Sequence, residues 1–167
     1  MSDISTLRRI LSTCRTLAVV GLSPQWHRPS YFAAKYMQAH GYRIVPVNPL
    51  VAREGGDILG ERCYASVQEA ARALAAQGQH IDMVDCFRKS EDIPPLADAA
   101  IEVGAKCLWL QLGVEHAEAE AKAAQAGLWV VHDRCVKIEH ARLFGGLNWA
   151  GVNTRVISAK RPQQLPY

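Results

Sequence analysis

The 167-residue sequence has no apolar run that could cross a bilayer. Stretches such as Leu17 to Leu22 and Leu128 to Val131 fall far short of the roughly 18 residues a span requires. Its opening, Met1-Ser2-Asp3-Ile4-Ser5, has no basic segment leading into an apolar one, so no secretory leader is expected and the chain is read as cytoplasmic with no membrane partner. The five cysteines (Cys14, Cys63, Cys86, Cys107, Cys135) are odd in number and contain no C-x-x-C pair. A disulfide framework and a zinc ribbon are both disfavoured, and reduced thiols are expected. The six histidines show neither H-x-x-x-H nor H-E-x-x-H spacing, and no metal is assigned. The formal charge of +3 is spread along the chain with no basic stripe, so a nucleic-acid partner is not expected either.

What is present is an alternation of short apolar runs and amphipathic or alanine-rich segments. Leu7, Ile10 and Leu11 recur at helical spacing. Thr16–Gly21, Tyr42–Val47, Ile81–Phe87, Lys106–Leu110 and Leu128–His132 read as five buried strands, with Pro46 marking the end of the second. Between them, Ser30 is expected to cap a helix over Tyr31–His40 that ends at Gly41. Residues 48–60 read as a loop, and the capping box from Ser66 to Glu69 starts a helix running to about Ala76. Ser90 or Asp92 begins the next helix, with Pro94 and Pro95 in its first turn, and Gly104 closes it. Val114–Ala126 is helical, and Asp133 offers a cap for a last helix containing Val136, Ile138 and Ala141. Such strand–helix alternation predicts an α/β fold: a mainly parallel sheet of about five strands with helices on both faces. One domain is expected over residues 1–155 with its core at about 15–140, followed by a loose tail over 156–167.

In an open parallel sheet the ligand lies beyond the carboxyl ends of the strands, where strand order reverses. Those ends are Gly21-Leu22-Ser23-Pro24, Val47-Asn48-Pro49, Cys86-Phe87-Arg88-Lys89, Gln111-Leu112-Gly113 and His132-Asp133. Ser30 at a helix start favours an anion there, and Arg28, Arg53, Arg88 and Lys89 fall in or beside the same loops, where guanidinium groups pair with phosphate. The competing view of each cation is a solvated loop charge; their shared location is what favours a polyphosphate ligand. A dinucleotide would call for G-x-G-x-x-G and an acid after the second strand. Gly21-Leu22-Ser23-Pro24-Gln25-Trp26 lacks the later glycines and Asn48 stands where the acid would be. The P-loop signature is absent as well.

These segments taken together resemble the small stand-alone coenzyme A-binding proteins of the Rossmann-like superfamily, relatives of the N-terminal CoA-binding domain of the succinyl-CoA synthetase alpha subunit. The likeness rests on Val19-Val20-Gly21-Leu22-Ser23, Arg28-Pro29-Ser30, the run from Gly41 to Pro49, Asp85-Cys86-Phe87-Arg88, the run from Leu108 to Gly113, and Asp133-Arg134-Cys135. It implies a Rossmann-like three-layer sandwich with coenzyme A, free or acylated, held across the strand ends. Gly21, Ser23 and Arg28 would lie near the phosphates, with Leu22 and Ser30 also among the ligand-binding residues, and Pro46, Val47, Asn48 and Pro49 around the adenosine. Arg53 stands where the family often places a basic residue, Phe87 and Arg88 lie along the pantetheine route, and Gln111 and Gly113 close the far side. Pro24-Gln25-Trp26-His27 departs from the pattern, with Trp26 either stacking on adenine or covering its loop. The second domain that carries the phosphorylated histidine of the synthetase has no counterpart in this chain, so no ligase reaction is expected.

Function is therefore read as a non-catalytic module that binds or senses CoA, with an unknown protein partner that Trp149 and the tail would meet. Two alternatives stand beside it. One is a Cys-dependent enzyme acting on a CoA thioester or disulfide, with Cys135 near a helix start that would lower its thiol pKa and His132 as a base. The other is a dinucleotide-dependent oxidoreductase.

Overall fold

A computed structural model describes residues 3–145; Trp149, the boundary at 155 and the tail over 156–167 lie outside the described residues. The chain opens with α1 (Ile4–Thr13), capped by Asp3, whose carboxylate accepts the Thr6 amide. There follow β1 (Thr16–Val20), α2 (Pro29–Ala39), β2 (Arg43–Val47), the short α3 (Pro49–Arg53) and a small hairpin of β3 (Asp57–Ile58) and β4 (Glu61–Arg62). Then come α4 (Val67–Ala75), β5 (Met83–Cys86), a 3-10 turn at Ser90–Asp92, α5 (Ile93–Glu102), β6 (Cys107–Leu110), α6 (Ala117–Gln125), β7 (Trp129–Val131) and α7 (Val136–Phe144). The five longer strands form a parallel sheet in the order β2-β1-β5-β6-β7, the α/β Rossmann-like arrangement the sequence predicts. Strand order reverses between β1 and β5, so the chain leaves these two strands toward opposite faces of the sheet, and a crevice opens beyond their closely packed ends.

Side chains alternate across the pleat and fill two cores. Ala18, Val20, Val84, Cys86, Leu108 and Leu110 pack under α4, α5 and α6, against Val67, Leu74, Ile93, Ala97 and Ala123. Leu17, Val19, Met83, Cys107 and Trp109 pack under α1, α2 and α7, against Leu7, Leu11, Met37, Val136 and Leu143.

Several local expectations are corrected. Ser30 is not a cap: Pro29 occupies the first turn, Arg28 becomes the N-cap residue without a side-chain bond, and the buried Ser30 hydroxyl instead accepts the Ser23 amide at 3.1 Å. Asp133 is not a cap either. It sits in the left-handed region at φ 49°, its carboxylate accepts the Gly113 amide at 2.7 Å, and Cys135 is the N-cap residue of α7. The strand β2 runs one residue past Pro46, which lacks an amide for the ladder but is tolerated because β2 is the edge strand. The presumed loop at 48–60 contains α3, since Asn48 accepts the amides of Leu50 and Val51 and Pro49 takes the first turn, together with the first strand of the hairpin. At α6 the start moves to Ala117 because the His116 ring accepts the Ala119 amide as its cap.

The sheet edge remote from the crevice is stitched by Asp82. This buried carboxylate accepts the amides of Arg15 at 2.9 Å and Thr16 at 3.1 Å, the Lys106 ammonium at 2.8 Å and the His80 ring at 3.0 Å. Burial alone would raise its pKa, but the Lys106 bond and charge and the two amides outweigh that and hold it below the ordinary value. Asp82→Ala is expected to cost about 1–3 kcal/mol in denaturant unfolding at pH 7. A carboxyl whose folded pKa is depressed stabilises above its unfolded value of about 3.9 and loses that contribution as pH falls through the folded one. The deficit of the variant should therefore shrink on acidification in the same unfolding assay.

Candidate functional site

At the carboxyl edge of the sheet the loops border an open cleft of about 1560 Å³. Its lining comes from the loop after β1 and the first turns of α2 (Gly21, Ser23, Gln25, Arg28, Ser30, Phe32), from Asn48, Leu50 and Val51 after β2, and from Phe87–Asp92 after β5. Gln111–Val114 after β6 and Cys135, Lys137 and Ile138 at the start of α7 complete it.

Gly21 is what lets the two central loops meet. Its φ is +81°, and a Cβ there would stand 2.5 Å from the Phe87 carbonyl oxygen and 3.0 Å from Arg88 Cδ. Asn48 ties the neighbouring loops together, donating to the Leu22 carbonyl at 3.0 Å while its own oxygen caps α3. An aspartate at this position would lose the donation. Gln111 is buried behind the cleft, donating to Asp85 and accepting the Val136 amide at 3.3 Å.

Four cations line the cleft. Arg28 donates to the Gln25 side chain at 3.1 Å, Arg88 pairs with Asp92 at 3.0 Å, and Lys89 lies 3.8 Å from Glu91. The Lys137 ammonium sits over the rings of Phe32, 5.3 Å from its centroid, and Tyr36, at 5.8 Å, and makes no ion pair among the described residues. These charges are partly or fully exposed and can be redirected to an anion at little cost.

Of the residues singled out in the sequence, Gly21, Ser23, Arg28, Ser30, Asn48, Phe87, Arg88, Gln111, Gly113 and Cys135 line the cleft. Leu22, Pro46, Val47, Pro49 and Arg53 do not. Leu22 is fully buried in the core, Pro46 and Val47 are buried within β2, and Pro49 opens α3. Arg53 is exposed in the last turn of α3, which instead brings Leu50 and Val51 to the cleft. Trp26 is 77% exposed, edge-on to His27, and does not line the cleft. Phe32, Leu50, Val51 and Lys137 escaped the sequence reading; their only signal was a place in the first turn of a helix that begins at the ligand edge.

The thiol chemistry also differs from expectation. Burial pushes the Cys135 pKa up, despite the pull of the Ile138 and Lys137 amides at the start of α7, so the helix start does not leave an activated thiolate. His132 pairs with Glu120. Cys14 is pushed up to about 12, and burial likewise raises Cys63, Cys86 and Cys107. Among the described residues no group of three or more His, Cys, Asp and Glu side chains is placed to hold a metal, and no helix is long and apolar enough to cross a membrane.

A family model described as a CoA binding domain matches residues 15–141. The Bacillus subtilis (strain 168) protein YneT is 35% identical over 135 residues, covering 81% of this chain and 92% of its own length. Among solved structures, a hypothetical protein from Pyrococcus horikoshii OT3 is similar at 36% identity and a TM-score of 0.76, covering 86% of this chain and 94% of that one. The Thermus thermophilus structure of cell-free ID.343 is similar at 33% identity and a TM-score of 0.74, covering 86% of this chain and all of its own.

Proposed function

Since this chain belongs to the CoA-binding domain family, we propose that its cleft binds coenzyme A, free or acylated, and that the protein acts by binding or sensing this ligand in the cytoplasm. The observation that carries this reading is the convergence of Arg28, Arg88, Lys89 and Lys137 on one cleft whose remaining walls include Phe32, Leu50, Phe87, Leu112 and Ile138. Coenzyme A presents both chemistries: phosphates for the cations, and a flat base and pantetheine arm for the apolar walls. At about 1560 Å³ the cleft is not smaller than the roughly 300–1,000 Å³ usual for small-molecule sites and has room for a ligand of this size.

The alternatives have less support. A dinucleotide needs an acid on the ribose, and at that position the Asn48 side chain is spent on Leu22 and α3. A Cys-dependent enzyme needs a thiolate with a base beside it, whereas the Cys135 thiol is raised by burial and His132 is bonded to Glu120.

Replacing Arg28 or Arg88 by Ala is expected to weaken CoA binding by about 1–3 kcal/mol, roughly 5- to 150-fold, with circular dichroism unchanged. Arg88→Ala should show the smaller effect, because Arg88 must first leave Asp92. Wild-type affinity in both variants, measured by calorimetric titration, would remove the phosphates from this part of the cleft.

A further inference from the structure

Among the described residues three carboxylates are buried: Asp82, Asp85 and Glu139. Two of them are neutralised by cations, Asp82 by Lys106 and Glu139 by Arg134 and Arg142. Asp85 has no cation; its partner is the Gln111 amide. It stands on β5 between Val19 of β1 and Trp109 of β6, and the pleat puts it on the face of Met83, beneath the layer of α1, α2 and α7. The titratable groups around it are the thiols of Cys86 on its own strand, Cys107 on β6 and Cys135 at the start of α7, all raised by burial and so uncharged near neutrality. From α7, Lys137 is drawn to Phe32 and Tyr36, and Glu139 is held by its arginines. No cation here compensates a negative charge on Asp85; the Gln111 amide alone favours it.

Asp85 is also connected to the cleft. Gln111 donates to Asp85 with its amide nitrogen and accepts the Val136 amide with its oxygen. Two hydrogen bonds thus join the buried carboxyl to the turn that brings Cys135, Lys137 and Ile138 to the cleft wall. We infer that Asp85 is a proton-linked positioning residue: it must keep its proton for an anionic ligand to seat against Gln111 and the α7 turn, so ligand binding and protonation of Asp85 favour one another. This rests on the reading that the cleft takes coenzyme A. An ionised Asp85 sets a negative charge without a cation, poorly screened by solvent, behind a site meant for phosphates. Burial pushes the carboxyl up to about 7 against the pull of the Gln111 bond, so the change falls in the neutral range. By reciprocity, the ligand must raise the carboxyl further.

The test is calorimetric titration with CoA between about pH 6.5 and 8, below the ordinary thiol pKa of about 8.5, in two buffers of different ionisation heat. Wild-type affinity should fall as pH rises, by at most about tenfold per unit, with net proton uptake on binding. The second ionisation of the ligand's phosphate, near pH 6, acts in the opposite direction and so cannot produce the fall. Asp85→Asn should remove the fall and bind at least as tightly as wild type at pH 8. An equal fall in Asp85→Asn overturns this inference alone, whereas absence of CoA binding at every pH overturns the proposed function and this inference with it. Should the variant not fold, carbon NMR of the Asp85 carboxyl in the wild-type protein decides: its midpoint should rise on adding CoA, and an unmoved midpoint contradicts the coupling.

Discussion

Gly21→Ala is expected to destabilise the protein by about 2–5 kcal/mol and to reduce CoA affinity more than tenfold. The first contribution is the left-handed backbone at φ +81°, which costs a residue with a Cβ about 1–2 kcal/mol. The second is collision: the new methyl would lie 2.5 Å from the Phe87 carbonyl oxygen, a backbone atom that cannot swing away as a side chain could. Phe87 is held by its own amide bond to the Val20 carbonyl at 2.9 Å, and Val20 is registered against Cys86 in the centre of the sheet. Relief must therefore push the loops after β1 and β5 apart, at an overpacking cost of about 1–3 kcal/mol. Those loops carry Ser23, Arg28, Phe87 and Arg88, so affinity falls along with stability. Denaturant unfolding and calorimetry on the same samples check both parts. A variant within about 0.5 kcal/mol of wild type would mean that the loops can separate freely.

Trp109→Ala should cost about 3–5 kcal/mol of stability against the roughly 5–15 kcal/mol that holds a typical domain together. Its side chain is wholly buried on the face beneath α1, α2 and α7. Its indole N–H also donates to the Arg134 carbonyl at 2.7 Å, tethering the residues that lead into α7. Trp109→Phe separates the two roles: it keeps most of the packing, leaves the Arg134 carbonyl without that donor, and is expected to cost less stability yet still loosen the Cys135–Ile138 wall. The measurement is the unfolding midpoint of each variant beside its CoA affinity. Equal stability of the Ala and Phe variants would contradict the packing account.

The sheet was legible because its strands are short apolar runs bounded by turn residues. Leu17–Val20 and Leu108–Leu110 have no polar interruption, and Gly41, Gly104 and Gly127 close helices in the left-handed conformation. Cap identity was harder. Ser30 and Asp133 are residues that helix starts prefer, but Pro29 shifted one start and the Gly113 amide claimed the other side chain. The segment after Asn48 reads as a loop because Asn-Pro usually marks a turn, whereas here the same pair caps and opens α3. In the site, strand-end position marks the loops that hold Gly21, Arg28, Arg88 and Gln111, while the roles of Gly21 and Gln111 toward the ligand come from the family resemblance. Lys137, Phe32 and Leu50 depend on how helices rotate against the sheet, and that is fixed by packing between segments far apart in sequence. Asp85 left a visible trace, an acid inside Met83-Val84-Asp85-Cys86, but only the absence of a cation around it gives that acid meaning.

The central claim is that the cleft takes coenzyme A in preference to other adenosine phosphates, and calorimetric titration of the purified protein with CoA, NAD and ATP under one set of conditions tests it most directly. The account predicts that CoA binds most tightly, because Asn48 offers no acid to a dinucleotide ribose and the apolar walls of the cleft have a pantetheine arm to cover. NAD binding as tightly as CoA, or more tightly, would contradict it.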